Sequence, residues 1–192
     1  MEILLLIGMG FGYFLLQVFW FSMDTRPMKE KVKFYLLFKG SFSLRIIVIY
    51  TVLFLLMKFI NPDWSLSTQV SSVSLYWVFT IGGLLLYLLG TAICVWARIT
   101  MKDIWTPAEQ TSIKHRKKLL TKGPFSFTRN PIYLGLILIN LGFFIALKSY
   151  LVVVVLFIVL FLDKKAVEEE KIMEKDFGSD YLKYKSSVPR FL

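Results

Sequence analysis

One cysteine and one histidine are present among 192 residues. Cys94 has no partner for an intrachain disulfide, and it lies inside an apolar block, where a small core residue is expected. A zinc site needs three or four Cys, His or carboxylate ligands, and His115 stands alone in a basic run, so no metal is expected. The chain also lacks a GxSxG nucleophile elbow and a phosphate-binding glycine loop, which leaves a hydrolase or an ATP-driven pump without support. Charge is scarce as well. Charged residues make up 19% of the chain, against about a quarter in a soluble domain.

What fills the space is apolar. Hydrophobic residues make up 56% of the chain and the mean hydropathy is +0.63. They come in long blocks instead of a 3.6-residue stripe, the pattern of a polytopic membrane protein. The first block, 3–22, begins with Glu2 and ends in the bulky Phe19-Trp20-Phe21, unlike a cleaved signal peptide. Its Gly8, Gly10 and Gly12 follow no strand, so they suit close helix packing better than dinucleotide binding. A second block covers 43–60, with Arg45 and Lys58 near its ends, where long side chains can reach the interface. A third, 75–97, carries Gly82, Gly83 and Gly90 as packing positions.

The last apolar block runs from 132 to 162, interrupted only by Lys148-Ser149. At about 1.5 Å per residue it would extend roughly 46 Å, too long for a hydrocarbon core of about 30 Å. A turn at Lys148 divides it into two short helices, 132–147 and 150–163, and the second arm should continue as helix into the acidic run. The expectation is an all-α, polytopic integral membrane protein of one domain (1–192), with about five transmembrane helices and the last two as a short hairpin.

Basic residues orient these spans. Of the 23 Lys and Arg, 21 fall in the first connector with its flank, in segment 98–131 or in segment 164–192. An outside N-terminus and a cytoplasmic C-terminus satisfy the positive-inside rule throughout. The formal charge of +10 is thereby explained without nucleic acid. Both 98–131 and 164–192 then lie at the cytoplasmic face, joined by the hairpin and therefore adjacent.

Candidate chemistry concentrates in these two segments. Pro131 after Asn130 starts a helix without sacrificing a hydrogen bond. The free amides there, with Arg129, could dock a carboxylate; Arg129 facing lipid phosphates is the plainer alternative. Glu168, Glu169 and Glu170 are three adjacent acids beside an anionic surface, either a solvated, salt-bridged helix or a site for a cationic or hydroxyl-rich ligand. Lys165 shares a helical face with Glu169, in the weaker orientation for an ion pair. Tyr133, Phe125 and Trp105 fit an interfacial aromatic belt or the walls around a flat ring.

Trp96-Ala97-Arg98 is followed by Leu119-Leu120-Thr121, Gly123, Phe125, Arg129-Asn130-Pro131, Tyr133 and Gly135. After the hairpin come Glu169-Glu170, Met173, Phe177-Gly178, Tyr181 and Tyr184. In this order the motifs resemble the isoprenylcysteine carboxyl methyltransferase family, which includes related phospholipid methyltransferases. The resemblance covers about the C-terminal half. It implies S-adenosylmethionine as cofactor, held by Gln110, Lys117, Lys118, Leu119, Leu120, Gly123, Phe125, Asn130, Pro131, Ile132, Tyr133 and Glu169. It places Lys165 where the prenylcysteine enzymes carry a substrate-contacting arginine, with Arg129 as a second substrate contact. Asn130 and Lys117 stand at family histidines and Phe125 at a family tyrosine; Asn130 can exchange hydrogen bonds but cannot titrate near neutrality.

Methyl transfer needs the acceptor held in line with the sulfonium methyl. A carboxylate acceptor needs no base, whereas an amine would lose a proton, with Glu169 or Glu170 to receive it. Arg129, Glu169 and Glu170 are therefore the candidate catalytic residues. The expected partners are the bilayer and a lipidic or prenylated acceptor, with carboxyl O-methylation placed ahead of lipid amine N-methylation. A non-catalytic membrane scaffold is the remaining alternative.

Overall fold

The computed structural model describes residues 2–24, 27–29, 31–32, 49–50, 52–54, 56–57, 60–61, 72–102 and 119–191. Among the described residues four long helices carry the architecture: α1 (Glu2–Ser22), α2 (Val73–Met101), α3 (Pro131–Ala146) and α4 (Val154–Ser187). No strand occurs among the described residues. Among the described residues two helices, α1 and α2, are long and apolar enough to cross a membrane; α3 is apolar but shorter. At 16 residues α3 is about 24 Å long, less than the roughly 30 Å of a hydrocarbon core. The second predicted span, 43–60, lies largely outside the described residues, although Tyr50 and Phe54 pack in the core.

Glycine sets the distance between α2 and α3. A Cβ on Gly83 would fall 2.3 Å from the Ala146 nitrogen, and one on Gly142 would fall 2.5 Å from the Gly83 oxygen. Seven residues away on each helix the contact repeats: a Cβ on Gly90 would meet the Gly135 oxygen at 2.5 Å, and one on Gly135 would meet Gly90 at 2.7 Å. Two antiparallel helices thus touch backbone to backbone at Gly83/Gly142 and Gly90/Gly135. Lipid offers no hydrophobic drive to bring helices together, so this close approach supplies the packing. Gly82 was expected to share this role, but nothing lies within 4 Å of its Cβ position. One residue turns the helix by about 100°, which carries Gly82 off the face that Gly83 and Gly90 share.

α1 joins through Tyr87, whose hydroxyl donates to the Met9 carbonyl at 2.6 Å and sits 3.1 Å from where a Gly12 Cβ would be. Arg98, almost fully buried, fastens the other end. Its guanidinium donates to Lys102 O at 2.7 Å and to Met23 O at 2.5 Å, satisfying carbonyls at the C-terminal ends of both α2 and α1. The outward faces stay apolar, with Leu4, Phe11, Leu85 and Leu88 all exposed.

The turn expected at Lys148 is present. Lys148 takes a positive φ of 52°, and the Ser149 hydroxyl accepts from Leu151 N at 3.2 Å to start a short 3-10 turn (Tyr150–Val153) into α4. The Lys148 ammonium folds back to Ala146 O (3.0 Å) and Thr80 Oγ1 (3.2 Å), 3.8 Å above the Tyr76 ring. A cation turned inward at the hairpin tip therefore has a carbonyl, a hydroxyl and an aromatic face in place of water. As expected, α4 continues as helix from its apolar arm through Asp163 and Lys165 into the acids.

Alanine at Gly90 or Gly142 should destabilise the protein by about 1–3 kcal/mol through overpacking, while alanine at Gly82 should not. Thermal unfolding in detergent checks this, and equal losses at all three positions would exclude the glycine contact as the determinant.

Candidate functional site

The end of the bundle opposite the hairpin turn holds a small cleft, part of it open to the exterior. Four stretches of chain build it. Met101 closes the end of α2, Leu120 and Phe125 come from the segment before α3, Arg129 and Asn130 stand at the start of α3, and α4 supplies Glu169, Glu170 and Met173. Tyr181 and Tyr184 complete the lining.

Local backbone choices set these positions. Gly123, at φ +64°, opens a 3-10 turn (Gly123–Ser126) that buries Phe125 beneath Ala97 and Met101. Only glycine takes that conformation without strain. Gly178 does the same within α4: at φ +52° and ψ −124° it breaks the helix and sends the following turns back over the cleft. That return brings the Tyr184 hydroxyl to the Phe125 carbonyl at 2.6 Å.

The three acids separate by helical rotation, about 100° per residue. Glu168 is exposed and pairs with Lys165 at 2.8 Å. Glu169 is half-buried and accepts from the Tyr133 hydroxyl at 2.5 Å, linking α4 to α3. Glu170 is buried and gathers three cations: Arg190 Nε at 2.7 Å, Arg129 Nη2 at 3.1 Å and Lys185 Nζ at 3.4 Å. Burial alone would raise its pKa, but Arg190, Arg129 and Lys185 outweigh it and hold the carboxyl below its ordinary value. Burial pushes the Tyr184 hydroxyl up to about 12 and, with the negative charge of Glu170, raises Tyr181 too, so both remain protonated at neutral pH.

The chain end forms a strap across the start of α3. Arg129 N donates to Pro189 O at 2.9 Å, Thr128 Oγ1 to Arg190 O at 2.8 Å and Asn130 Nδ2 to the same carbonyl at 3.4 Å. Arg190 also reaches Asp163 at 2.6 Å. In the sequence Arg190 counted only as one more basic residue of the tail; the signal for its role is Pro189, which ends the helix and turns the chain.

Of the expected cofactor residues, Leu120, Phe125, Asn130 and Glu169 line the cleft. Tyr133 is tied to it through Glu169, and Leu119, Gly123, Pro131 and Ile132 belong to the segments that frame it. Gln110, Lys117 and Lys118 lie outside the described residues. Arg129 and Glu170 line the cleft but are paired with each other, and Lys165 is engaged by Glu168, outside the lining. Met173, Tyr181 and Tyr184, motif residues given no role in the sequence, also line it, and Met101 is a lining residue the sequence did not single out. Among the described residues no cluster of His, Cys, Asp and Glu could hold a metal.

A family model described as phospholipid methyltransferase matches residues 78–180, more than half of the chain. The chain belongs to that family. The match runs from within α2 to just past the Gly178 break, so it contains both motif segments and the hairpin between them. No curated protein matches the chain. As a phospholipid methyltransferase family member with two membrane-length apolar helices, the protein is a membrane methyltransferase.

Substituting Glu170 with Gln strands buried Arg129 and should cost about 3–5 kcal/mol, exposing the 185–191 tail to protease; Glu168→Gln should leave the tail protected. Because the folded carboxyl lies below 4.5, the stabilisation by Glu170 is complete above that pH and lost as pH falls through the depressed value. The advantage of wild type over Glu170→Gln, measured by pulse proteolysis, should be constant above pH 4.5 and shrink below it.

Proposed function

We propose that this family member transfers a methyl group from S-adenosylmethionine to a lipid-tailed acceptor at the cytoplasmic face of a membrane. The supporting observation is the cleft itself. It joins the two motif segments in one lining that combines apolar walls (Leu120, Phe125, Met101, Met173) with polar groups at one side (Asn130, Glu169, Tyr181). These residues fit a nucleoside with a charged tail: a flat ring needs apolar walls, and hydroxyls and amines need acceptors such as Asn130 and Glu169. Gln110, Lys117 and Lys118 complete the cofactor contacts in this proposal, with Pro131, Ile132 and Tyr133 holding the frame. The cofactor, when bound, supplies an activated methyl on a sulfonium.

The task left to the protein is alignment. Tyr133 fixes Glu169 from α3, and the Glu170 cluster fixes the start of α3 from α4, so both walls of the cleft move as one body. Such prealignment converts an encounter into a near-intramolecular reaction. Carboxyl O-methylation suits the site best. The Glu170 carboxylate is committed to three cations and Asn130 does not titrate, so the cleft is poor in proton acceptors, and a carboxylate acceptor requires none. N-methylation of a lipid amine is the second reading, favoured by Glu169 in the lining, whose carboxylate could receive the proton. Lys165, on the rim beside Glu168, and Arg129 are the proposed substrate contacts.

The proposed topology is five spans in one domain, with the N-terminus outside and the cleft cytoplasmic. Reporter fusions should place Ser149 outside or within the bilayer and Leu192 in the cytoplasm. An outside C-terminus would separate the cleft from cytoplasmic cofactor and overturn the assignment.

Purified protein in lipid should transfer labelled methyl from S-adenosylmethionine to lipid extract. Alkali that releases the label as methanol identifies an ester, and alkali-stable label identifies an N-methyl product. No transfer together with no cofactor binding by calorimetry at millimolar concentration would leave the scaffold alternative. Glu169→Ala should weaken cofactor binding roughly tenfold or more, as loss of a charged hydrogen bond implies, while Glu168→Ala leaves it unchanged.

A further inference from the structure

We propose that Arg190 is a positioning residue for the cofactor site, acting through the chain end on the side chain of Asn130. The proposal rests on the cleft being that site. Arg190 is joined to the rest of the molecule at both of its ends. Its guanidinium spans Asp163 and Glu170 on α4, with Nη1 at 2.6 Å from Asp163, and Nε and Nη2 at 2.7 and 3.2 Å from the two Glu170 oxygens. Its backbone carbonyl accepts from Thr128 Oγ1 and from Asn130 Nδ2. The residue therefore ties the acidic stretch of α4 to the first residues of α3 by a route separate from the Arg129–Glu170 pair.

The consequence for Asn130 is chemical. A carboxamide carries a donor end and an acceptor end, and with Nδ2 turned to the Arg190 carbonyl the two cannot exchange. Oδ1 has no donor among the described residues, and Asn130 lines the cleft. The strap thus assigns Asn130 the role of acceptor for an N–H or O–H group of the ligand, such as an exocyclic amine or a ribose hydroxyl. A detached strap would let the amide rotate and offer a donor instead, so affinity would fall while the fold persisted. Arg190 lies ten residues beyond the segment that the family model matches, so the family assignment says nothing of it.

Two measurements on the full-length protein in detergent or lipid test this. In the first, Arg190→Ala should weaken S-adenosylmethionine binding about tenfold or more, and the same substitution in an Asn130→Ala background should change affinity less than twofold. Losses that multiply, or an Arg190→Ala affinity equal to wild type, would overturn the proposal. The second needs no cofactor. The chain has three asparagines, at 61, 130 and 140, so selective ¹⁵N-asparagine labelling gives three side-chain amide pairs. Arg190→Ala should shift the Asn130 pair and leave that of Asn140, buried in α3, in place. An unmoved Asn130 pair would overturn the proposal. If Arg190→Ala loses the Asn140 signal through unfolding, Arg190→Lys is compared in the same way. A wild-type protein that binds no S-adenosylmethionine would refute the cofactor assignment, and the amide measurement would still decide the role of Arg190.

Discussion

A buried carboxylate inside a ring of cations governs this molecule. Glu170 lies on α4, Arg129 just before α3, Lys185 near the end of α4 beyond the Gly178 break, and Arg190 in the tail, so residues from the start of α3 and from both sides of that break meet at two oxygens. A carboxylate out of water is costly unless its lone pairs are filled, and here both oxygens are. The converse is as important. Arg129 is itself nine-tenths buried, and without Glu170 its charge would have no counterion there. The cluster is better understood as a specification than as a source of net stability, because breaking a buried pair costs more than forming it gains. It decides where the cleft lies.

Glu169 and Glu170 are the clearest case of what neighbouring residues cannot reveal by type. Both are glutamates, both face the cleft, and a resemblance to methyltransferases assigns them together. One helical step sends the first to the Tyr133 hydroxyl and the second into the arginines. The first remains half-buried in the cleft lining; the second is sealed, with Arg129 and Arg190 over it. Their different partners follow from rotation alone.

Much of the fold was legible because its determinants are local. The length of the 132–162 block against a bilayer demanded a turn, Lys148 was its one charged residue, and the turn is there. Gly83 and Gly90 were expected as packing positions, and Gly142 and Gly135 on α3 answer them. Gly82 shows the limit, since composition does not reveal which of two adjacent glycines faces a partner. The candidate site was legible where motif residues act through their own side chains, as Phe125, Asn130 and Glu169 do in the lining. The strap was not, because Pro189 and Arg190 contribute backbone carbonyls, which every sequence possesses. The positive φ of Gly178 was equally hidden: a glycine inside a helical pattern looks like a small loss of propensity until the chain is seen to reverse there.

The two ends of the α3–α4 hairpin treat charge in opposite ways, and the contrast bears on how the protein sits in lipid. At the turn, one lysine is folded inward onto a carbonyl, a hydroxyl and a ring. At the other end, three cations and several carboxylates are interlocked. An inward-turned ammonium held by these groups is tolerable at the tip of a hairpin whose first helix is only 16 residues long. Burial keeps the network at the base closed, because exposed pairs are easily exchanged and buried ones are not. The hairpin thus joins a nearly inert apolar tip to an electrostatically closed base, and the base holds both walls of the cleft.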